Sequence, residues 1–307
     1  MKELQELSEG LLVDIIFPIG HVTRFNGCEV NSFPSSLDVE TTSDCNGHCE
    51  MCPQRIVKKL KDASTEAMIL SMDSIAGNFQ DVLFLGGEPT IHPKRLITLA
   101  KHAKSIGKQT YLTTNGSFLG KNSLTQQIAQ YFDGVNISIH SGNLEKNKDI
   151  VGVSLNYENL LETVNIISGK KIRINCVLQL GGVESPGTFE NMMNFAKSIG
   201  VGSIKFAELQ LYGSAEDLKT KFVSLDNVLG KDFIDLIMND KCEANYISKN
   251  GLTILLKRSC LATSLFARIQ RPDQNLRETR SVYVLHADGK IGGWTNSACH
   301  QCHRTPG

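Results

Sequence analysis

Three thiols fall within one short stretch, Cys45-Asn46-Gly47-His48-Cys49-Glu50-Met51-Cys52, directly after the run Leu37-Asp38-Val39-Glu40-Thr41-Thr42. Soft thiolate ligands select iron–sulfur clusters and zinc, so cysteines this close point first to metal chemistry. The alternating run that stops at a polar turn reads as a β-strand, which puts the thiols in the loop after its end. A four-iron cube held by only three cysteines keeps one iron without a protein ligand, and that open corner can bind a substrate or cofactor. A structural zinc would need a fourth ligand, which His48 or a distant cysteine could supply. Spacing alone leaves both readings open.

The elements that must carry this loop are legible in the rest of the chain. A length of 307 residues suffices for one barrel-sized domain and a smaller appendage. Residues 1–35 read as an irregular extension with short strands near Val13–Phe17 and His21–Phe25, and lone Cys28 there reads as a small buried thiol. From residue 36 onward strands alternate with helices. Strands are expected at Leu37–Thr42, Asp81–Gly86, Lys108–Thr114, Gly134–His140, Lys171–Gln179 and Ser203–Gln210. Helices are expected at Ser64–Phe79, Pro93–Ile106, Asn122–Tyr131, Tyr157–Ile167 and Thr188–Ile199. Parallel strands joined by right-handed helical crossovers satisfy that pattern, and six units suit an open partial barrel, a (β/α)6 α/β fold over residues 36–215. In such folds chemistry collects at the carboxyl ends of the strands.

Composition narrows the function classes. Lys+Arg and Asp+Glu are both 32, a formal net charge of zero that argues against a general binder of nucleic acid or anionic membranes. Leu11–Phe17 is too short, and too interrupted by Asp14, to span a bilayer; Glu3, Glu6 and Glu9 do not suit a signal peptide. A cytoplasmic location is the expectation. Nine cysteines in a reducing compartment then speak for metal ligation over disulfides.

The strand ends carry further polar motifs. The second expected strand ends in Gly86-Gly87-Glu88-Pro89-Thr90, where glycines allow close backbone approach and Glu88 offers acceptors for an ammonium group. The third ends in Thr113-Thr114-Asn115-Gly116. Alternation in the fourth sets Asn136, Ser138 and His140 on the face opposite Val135, Ile137 and Ile139. In the fifth, Arg173, Asn175, Val177 and Gln179 oppose Ile174, Cys176 and Leu178, so Cys176 packs under a helix. The sixth does not separate by pattern, which leaves Lys205 and Glu208 both as candidates for the lumen.

The C-x3-C-x2-C spacing resembles the signature of the radical S-adenosylmethionine (SAM) superfamily, and Gly-Gly-Glu-Pro one βα unit later resembles that family's GGEP motif. Thr114-Asn115-Gly116 resembles its TNG strand end. The resemblance implies that Cys45, Cys49 and Cys52 hold the cleaving cluster, and that Gly86, Gly87, Glu88, Thr114, Asn115, Ser138 and Asn175 help to seat SAM. Met51 stands where the family usually has an aromatic residue, and an apolar side chain there can still pack on adenine. His140 replaces an acidic residue common in relatives and is, with Lys205 and Glu208, a candidate catalytic group. A reduced flavodoxin or ferredoxin is the implied electron donor.

Four more cysteines remain toward the carboxyl end. Cys242 and Cys260 flank Tyr246–Ile254, two apolar runs around Asn250-Gly251, a hairpin signal that brings its ends together. With Cys299 and Cys302 they make a closed four-thiol site, either a fully ligated four-iron cluster or zinc. This resembles the twitch domain of a radical SAM clade that includes 2-deoxy-scyllo-inosamine dehydrogenase-like enzymes, which implies a second [4Fe-4S] cluster over residues 216–307. A further hairpin, Val282–Trp294 around Asp288-Gly289, departs from that pattern and either shapes the substrate pocket or lengthens the appendage. The segment before residue 36 is too short for a winged-helix peptide-recognition domain, which favours a small molecule of the sugar, aminocyclitol or nucleoside type. Oxidation is the expected outcome. Epimerisation, a peptide substrate, or a non-enzymatic iron–sulfur redox protein are the alternatives.

Overall fold

The computed structural model describes residues 22–25, 28–31, 36–52, 61–209, 216–238, 243–248, 251–259 and 282–294. Strands β1 (Val22–Phe25) and β2 (Cys28–Asn31) form a separate antiparallel ribbon. Then β3 (Ser36–Glu40), α1 (Thr65–Ser74), β4 (Asp81–Leu85), α2 (Pro93–Ser105) and β5 (Gln109–Thr114) open the expected alternation. It continues through α3 (Ser123–Tyr131), β6 (Gly134–Ser138), α4 (Leu144–Val151), α5 (Tyr157–Ile166), β7 (Lys171–Leu178), α6 (Pro186–Ser198) and β8 (Ser203–Glu208). The short helices α7 (Glu216–Lys219), α8 (Leu225–Leu229) and α9 (Lys231–Met238) lead to β9 (Glu243–Ile247), β10 (Thr253–Lys257), β11 (Val282–Leu285) and β12 (Ile291–Trp294).

All but the first two strands join one ten-stranded sheet in the order β12-β11-β3-β4-β5-β6-β7-β8-β10-β9. The six sequential strands β3 to β8 pair in parallel with their chain neighbours, as right-handed βαβ crossovers require. The two hairpins extend the same sheet at its two edges. β10 runs parallel to β8, β11 runs parallel to β3, and β9 and β12 close the edges antiparallel. Gly251 and Gly289, with φ of 76° and 84°, supply the left-handed backbone that these tight turns need.

Burial alternates along each strand and sorts two faces. Leu37, Val39, Phe84, Leu112, Ile137, Ile174, Ile204, Phe206, Ile254 and Leu256 are fully buried under the helices. The intervening residues form the other face, which curves around a cavity of about 1030 Å³ lined by Asp38, Leu83, Tyr111, Asn136 and Arg173. That cavity opens toward the amino ends of the strands, opposite the cysteine loop. Under the helices, Phe84 and Phe132 meet edge to face at 5.6 Å.

Four helices escaped the sequence pattern, the short α7, α8 and α9 and, within the barrel, α4. α4 is short and mostly polar, but Asn143 accepts from the N–H groups of Glu145 and Lys146, and Gly152 ends the helix at φ 80°. Those two caps were its legible signal. It matters because its carboxyl end reaches the cysteine loop.

Candidate active site

The cysteine loop leaves β3 as Thr41 and is then pinned from four sides. Thr41 N donates to Leu85 O at 2.8 Å, Gly87 N to Thr42 O at 2.8 Å, and Glu88 N to Asp44 O at 2.7 Å, so the Gly-Gly-Glu turn prolongs the β3–β4 ladder into the loop. Thr42 Oγ1 donates to Asp62 at 2.6 Å, and Ser43 N donates to the same carboxylate. Burial opposes the Asp62 charge, but these hydrogen bonds and the nearby Arg95 prevail and hold its pKa below the usual carboxylate value. On the third side Asn115 Nδ2 donates to Asn46 Oδ1 at 2.9 Å, while Asn46 Nδ2 donates to Ser117 Oγ at 3.0 Å. On the fourth, His48 N donates to Val151 O at 2.7 Å, and Cys49 Sγ lies 3.7 Å from that same carbonyl.

The glycine pair is explained by this loop. A Cβ on Gly87 would stand 1.9 Å from Asp44 O, and one on Gly86 2.6 Å from Thr42 O, with Gly86 at φ 135°. Neither position tolerates a side chain, because two backbones meet there.

Glu88 is likewise committed within the fold. It is 1% exposed and accepts from Thr90 N at 3.1 Å, Thr90 Oγ1 at 2.5 Å, Thr114 Oγ1 at 2.6 Å and Asn115 N at 2.6 Å. Its oxygens splint the end of β4 to the end of β5. Thr114 belongs to the same splint, since its hydroxyl donates to Glu88 and accepts from Gly116 N. Asn115 carries the splint on to the cysteine loop through Asn46.

The candidate catalytic residues separate clearly. His140 is 5% exposed, its Nδ1 accepts from Val177 N at 3.0 Å, and burial pushes its pKa down to about 4. It is a neutral brace between the end of β6 and β7. Glu208 lies on the helix-covered face beside Phe206, where it accepts from Leu225 N at 2.9 Å and Ser259 N at 2.7 Å. Burial raises its pKa and those two N–H donors oppose the rise. It ties α8 and the segment after β10 to β8, so its expected place in the lumen is corrected. Lys205 alone of the three faces the lumen, paired in register with Asn175 on one side and Leu255 on the other.

Ser138 and Asn175 are register partners on the lumen face of β6 and β7. Met51 is 9% exposed, with its sulfur 3.9 Å from Gln179 Nε2. Cys176 is buried under the helices as expected, and burial raises its pKa strongly. Cys242, Cys260, Cys299 and Cys302 lie outside the described residues.

The lumen carries charge that pattern reading overlooked. Burial pushes Asp38 up to about 7, with Glu40 on the same strand adding to the rise. Glu40 Oε2 lies 3.0 Å from His286 Nδ1, and that contact raises the His286 pKa against the opposing effect of burial. A Cβ on Gly292 would lie 2.8 Å from the His286 ring, so Gly292 makes room for it.

Asp38 gives a pH signature. Its unfolded carboxyl releases its proton near the ordinary value of 3.8, whereas the folded one holds on to about 7. Ionised Asp38 therefore costs stability progressively as pH rises between those values, up to on the order of 4 kcal/mol above pH 7. Asp38→Asn should melt higher than wild type at pH 8 and equally at pH 4, read by thermal unfolding of the anaerobic protein. Equal melting at pH 8 would show that Asp38 is not held in this state.

The cysteine loop suits a cluster. Cys45 is exposed, and Cys49 and Cys52 are partly buried. Among the described residues no three acidic, His or Cys side chains converge on a point that would grip one metal ion. A four-iron cube places three thiolates on three different irons, so such convergence is not needed. Asn147, fully buried on the same α4 face as Val151, has its Nδ2 without a hydrogen-bond partner among the described residues. Its Oδ1 accepts from His140 N at 2.7 Å, which ties α4 to the end of β6.

A parallel sheet with thiols and a glycine-acid turn at its carboxyl ends defines a class of metal-dependent, cofactor-cleaving enzyme. Residues 39–196, over half of the chain, match the model of the radical SAM superfamily, to which the chain therefore belongs. It is 32% identical over 165 residues to an S-adenosylmethionine-dependent nucleotide dehydratase of Flammeovirga pacifica, covering 48% of this chain and 55% of that protein. A probable GTP 3',8-cyclase of Sulfurisphaera tokodaii is 26% identical over 203 residues, 63% of each chain. The match thus spans between half and two thirds of the length of these two relatives. Among solved structures, Streptococcus suis SuiB bound to S-adenosylmethionine superposes with a TM-score of 0.58 at 18% identity, covering 86% of this chain and 60% of that one. That likeness shows the fold. Among the described residues no helix is long and apolar enough to cross a membrane.

Proposed function

We propose that this enzyme abstracts hydrogen from a small polar molecule held in the barrel lumen, of the sugar, aminocyclitol or nucleoside type, and that oxidation follows. The observation that carries this is the position of Cys45, Cys49 and Cys52. All three lie in one braced loop at the carboxyl mouth of a parallel sheet whose inner face carries Asp38, Asn136, Ser138, Arg173 and Asn175. The family implies SAM and one four-iron cluster, which when bound supply a 5′-deoxyadenosyl radical from SAM and one electron.

The chain's own residues bind and orient. The Glu88–Thr114–Asn115 splint and the Asn46–Ser117 contact fix the loop that holds the cluster, while Ser138 and Asn175 face the lumen beside it. Met51, buried against Gln179, closes one wall to water. The relatives named for nucleotide chemistry favour the nucleoside end of the substrate range. Cys242, Cys260, Cys299 and Cys302 are proposed to hold a second cluster; Glu243 and Lys257, which bound the β9–β10 hairpin, are register partners. Oxidation of a substrate alcohol requires one hydrogen atom, then one proton and one electron, to leave the carbon and its hydroxyl, and that second cluster would accept the electron. A reduced flavodoxin or ferredoxin is the proposed donor for SAM cleavage.

The reconstituted enzyme, given dithionite and SAM, should release 5′-deoxyadenosine and methionine slowly without substrate. With a substrate deuterated at the reacting carbon, deuterium should enter 5′-deoxyadenosine and the product should be two electrons more oxidised. With unlabelled substrate in deuterated water, a redox-neutral product carrying solvent deuterium would replace oxidation by epimerisation, and absence of any SAM cleavage would refute the reading altogether.

A further inference from the structure

Asp38 stands on the inner face at the middle of β3, and its register neighbours on both sides are apolar: Leu83 on β4 and Val284 on β11. Among the described residues no group donates a hydrogen bond to its carboxyl, and the charge that acts on it, Glu40, is of like sign. The other charged groups of this interior are engaged elsewhere. Glu40 lies against His286 Nδ1 at 3.0 Å. Lys171 donates to the Tyr111 hydroxyl at 3.3 Å and acts on Asp81, near the amino end of the sheet. Arg173 is four strands away on β7 and donates to Asn175 Oδ1 at 3.1 Å. Asp38 instead lines the cavity of about 1030 Å³ with its acceptors unmet. Buried polar groups are nearly always hydrogen-bonded, so a carboxyl left open toward a cavity points to a group that arrives from outside.

What arrives follows from the energetics of the site. A neutral donor such as a hydroxyl is met as well by an amide oxygen, and Asn136 and Asn175 supply amides on the same inner face. A carboxyl between two apolar neighbours keeps its charge only at a penalty, which a cation offsets and a neutral donor does not. The depth is also suitable. Thr41, where the cysteine loop begins, is three residues further along the chain, roughly 10 Å in strand geometry. Resting on the reading above that the substrate occupies the barrel lumen, we propose that Asp38 binds a protonated primary amine of the substrate and holds that molecule beneath the cysteine loop. This narrows the substrate range to amino sugars, aminocyclitols and amino-nucleosides. Without a ligand Asp38 keeps a proton instead, in line with a pKa pushed up to about 7. Amine binding displaces that proton, and it weakens as pH falls below 7.

The probes are trans-4-aminocyclohexanol and its neutral twin trans-1,4-cyclohexanediol, each titrated calorimetrically into the anaerobic, reconstituted, SAM-loaded full chain. They share one ring and differ by an ammonium in place of a hydroxyl, and the amine, like that of lysine, stays protonated at the pH values used. At pH 8 the wild type should bind the amine saturably and about tenfold or more tighter than the diol, the preference expected for one charge-assisted hydrogen bond. Between pH 8 and pH 6 the amine affinity should fall by about tenfold as Asp38 protonates, while the diol affinity stays level. Asp38→Asn, which should be no less stable at pH 8, should bind amine and diol alike and without pH dependence. Glu190→Gln, on the exposed side of α6, should behave as wild type. No preference for the amine in the wild type, or an unchanged preference in Asp38→Asn, would overturn the proposal. Ammonium or potassium chloride displacing the amine at equal concentration would also overturn it, because the site would then serve a free inorganic cation. Substrate-free SAM cleavage by the wild-type protein is read separately. Its absence would refute the function proposed above, whereas a failed amine titration beside intact cleavage refutes only the amine site.

Discussion

Replacing Cys45, Cys49 and Cys52 together by alanine should reduce 5′-deoxyadenosine release from SAM to background and remove the iron held at this loop. The argument is one of ligand number. Among the described residues no group of three or more His, Cys, Asp or Glu side chains is poised to hold a metal ion, so no ready substitute for these thiols is at hand. The fold should survive, because the loop is held by backbone and side-chain contacts that do not involve sulfur, from Leu85, Asp62, Asn115 and Val151. Iron analysis, the absorbance of the reconstituted protein and chromatography of SAM products check it. Retained SAM cleavage in the triple variant would place the chemistry elsewhere, and zinc bound stoichiometrically by the native loop would make the site structural.

Glu88→Ala should be the most damaging single change away from the thiols. It deletes an acceptor that is 1% exposed and leaves the N–H groups of Thr90 and Asn115 and the Thr114 hydroxyl without their partner. Each buried donor left unmade costs about 1–3 kcal/mol, so a loss on the order of 4 kcal/mol is expected. Glu88→Gln should cost less but still be measurable, because its amide would turn an NH2 toward Asn115 N–H if its oxygen keeps the other three donors. The two roles for Glu88 differ in where they register. A carboxylate that merely contacted SAM would leave the thermal stability of the SAM-free protein unchanged. A splint lowers that stability and disturbs cluster retention as well, through Asn115 and Asn46.

Reading the polar strand ends from sequence alone ran into a general ambiguity. A Glu or His at a strand end looks the same whether it meets a ligand or the next strand, since the pattern reports which face a residue is on and not who stands opposite. His140 and Glu208 fall on this ambiguity: both are buried and satisfied by backbone N–H groups from elements 17 to 51 residues away. Asn46 and Ser117 were missed for the converse reason. Nothing in their own neighbourhood marks them, because their partners come from 69 and 71 residues away.

Local chemistry was enough to determine the class. Thiol spacing, the Gly-Gly-Glu-Pro turn and alternating apolar runs are properties of contiguous residues, and they specified the cofactor loop, the six sequential parallel strands and both hairpin turns. Long-range pairing lay beyond them. A hairpin's turn is written in Asn250-Gly251 or Asp288-Gly289, but the strand it joins is chosen by register and apolar complementarity with a distant edge, here β8 for one and β3 for the other. That choice places Lys257 beside β8 and His286 beside Glu40, so the charge distribution inside the lumen exists only once the sheet has closed around it.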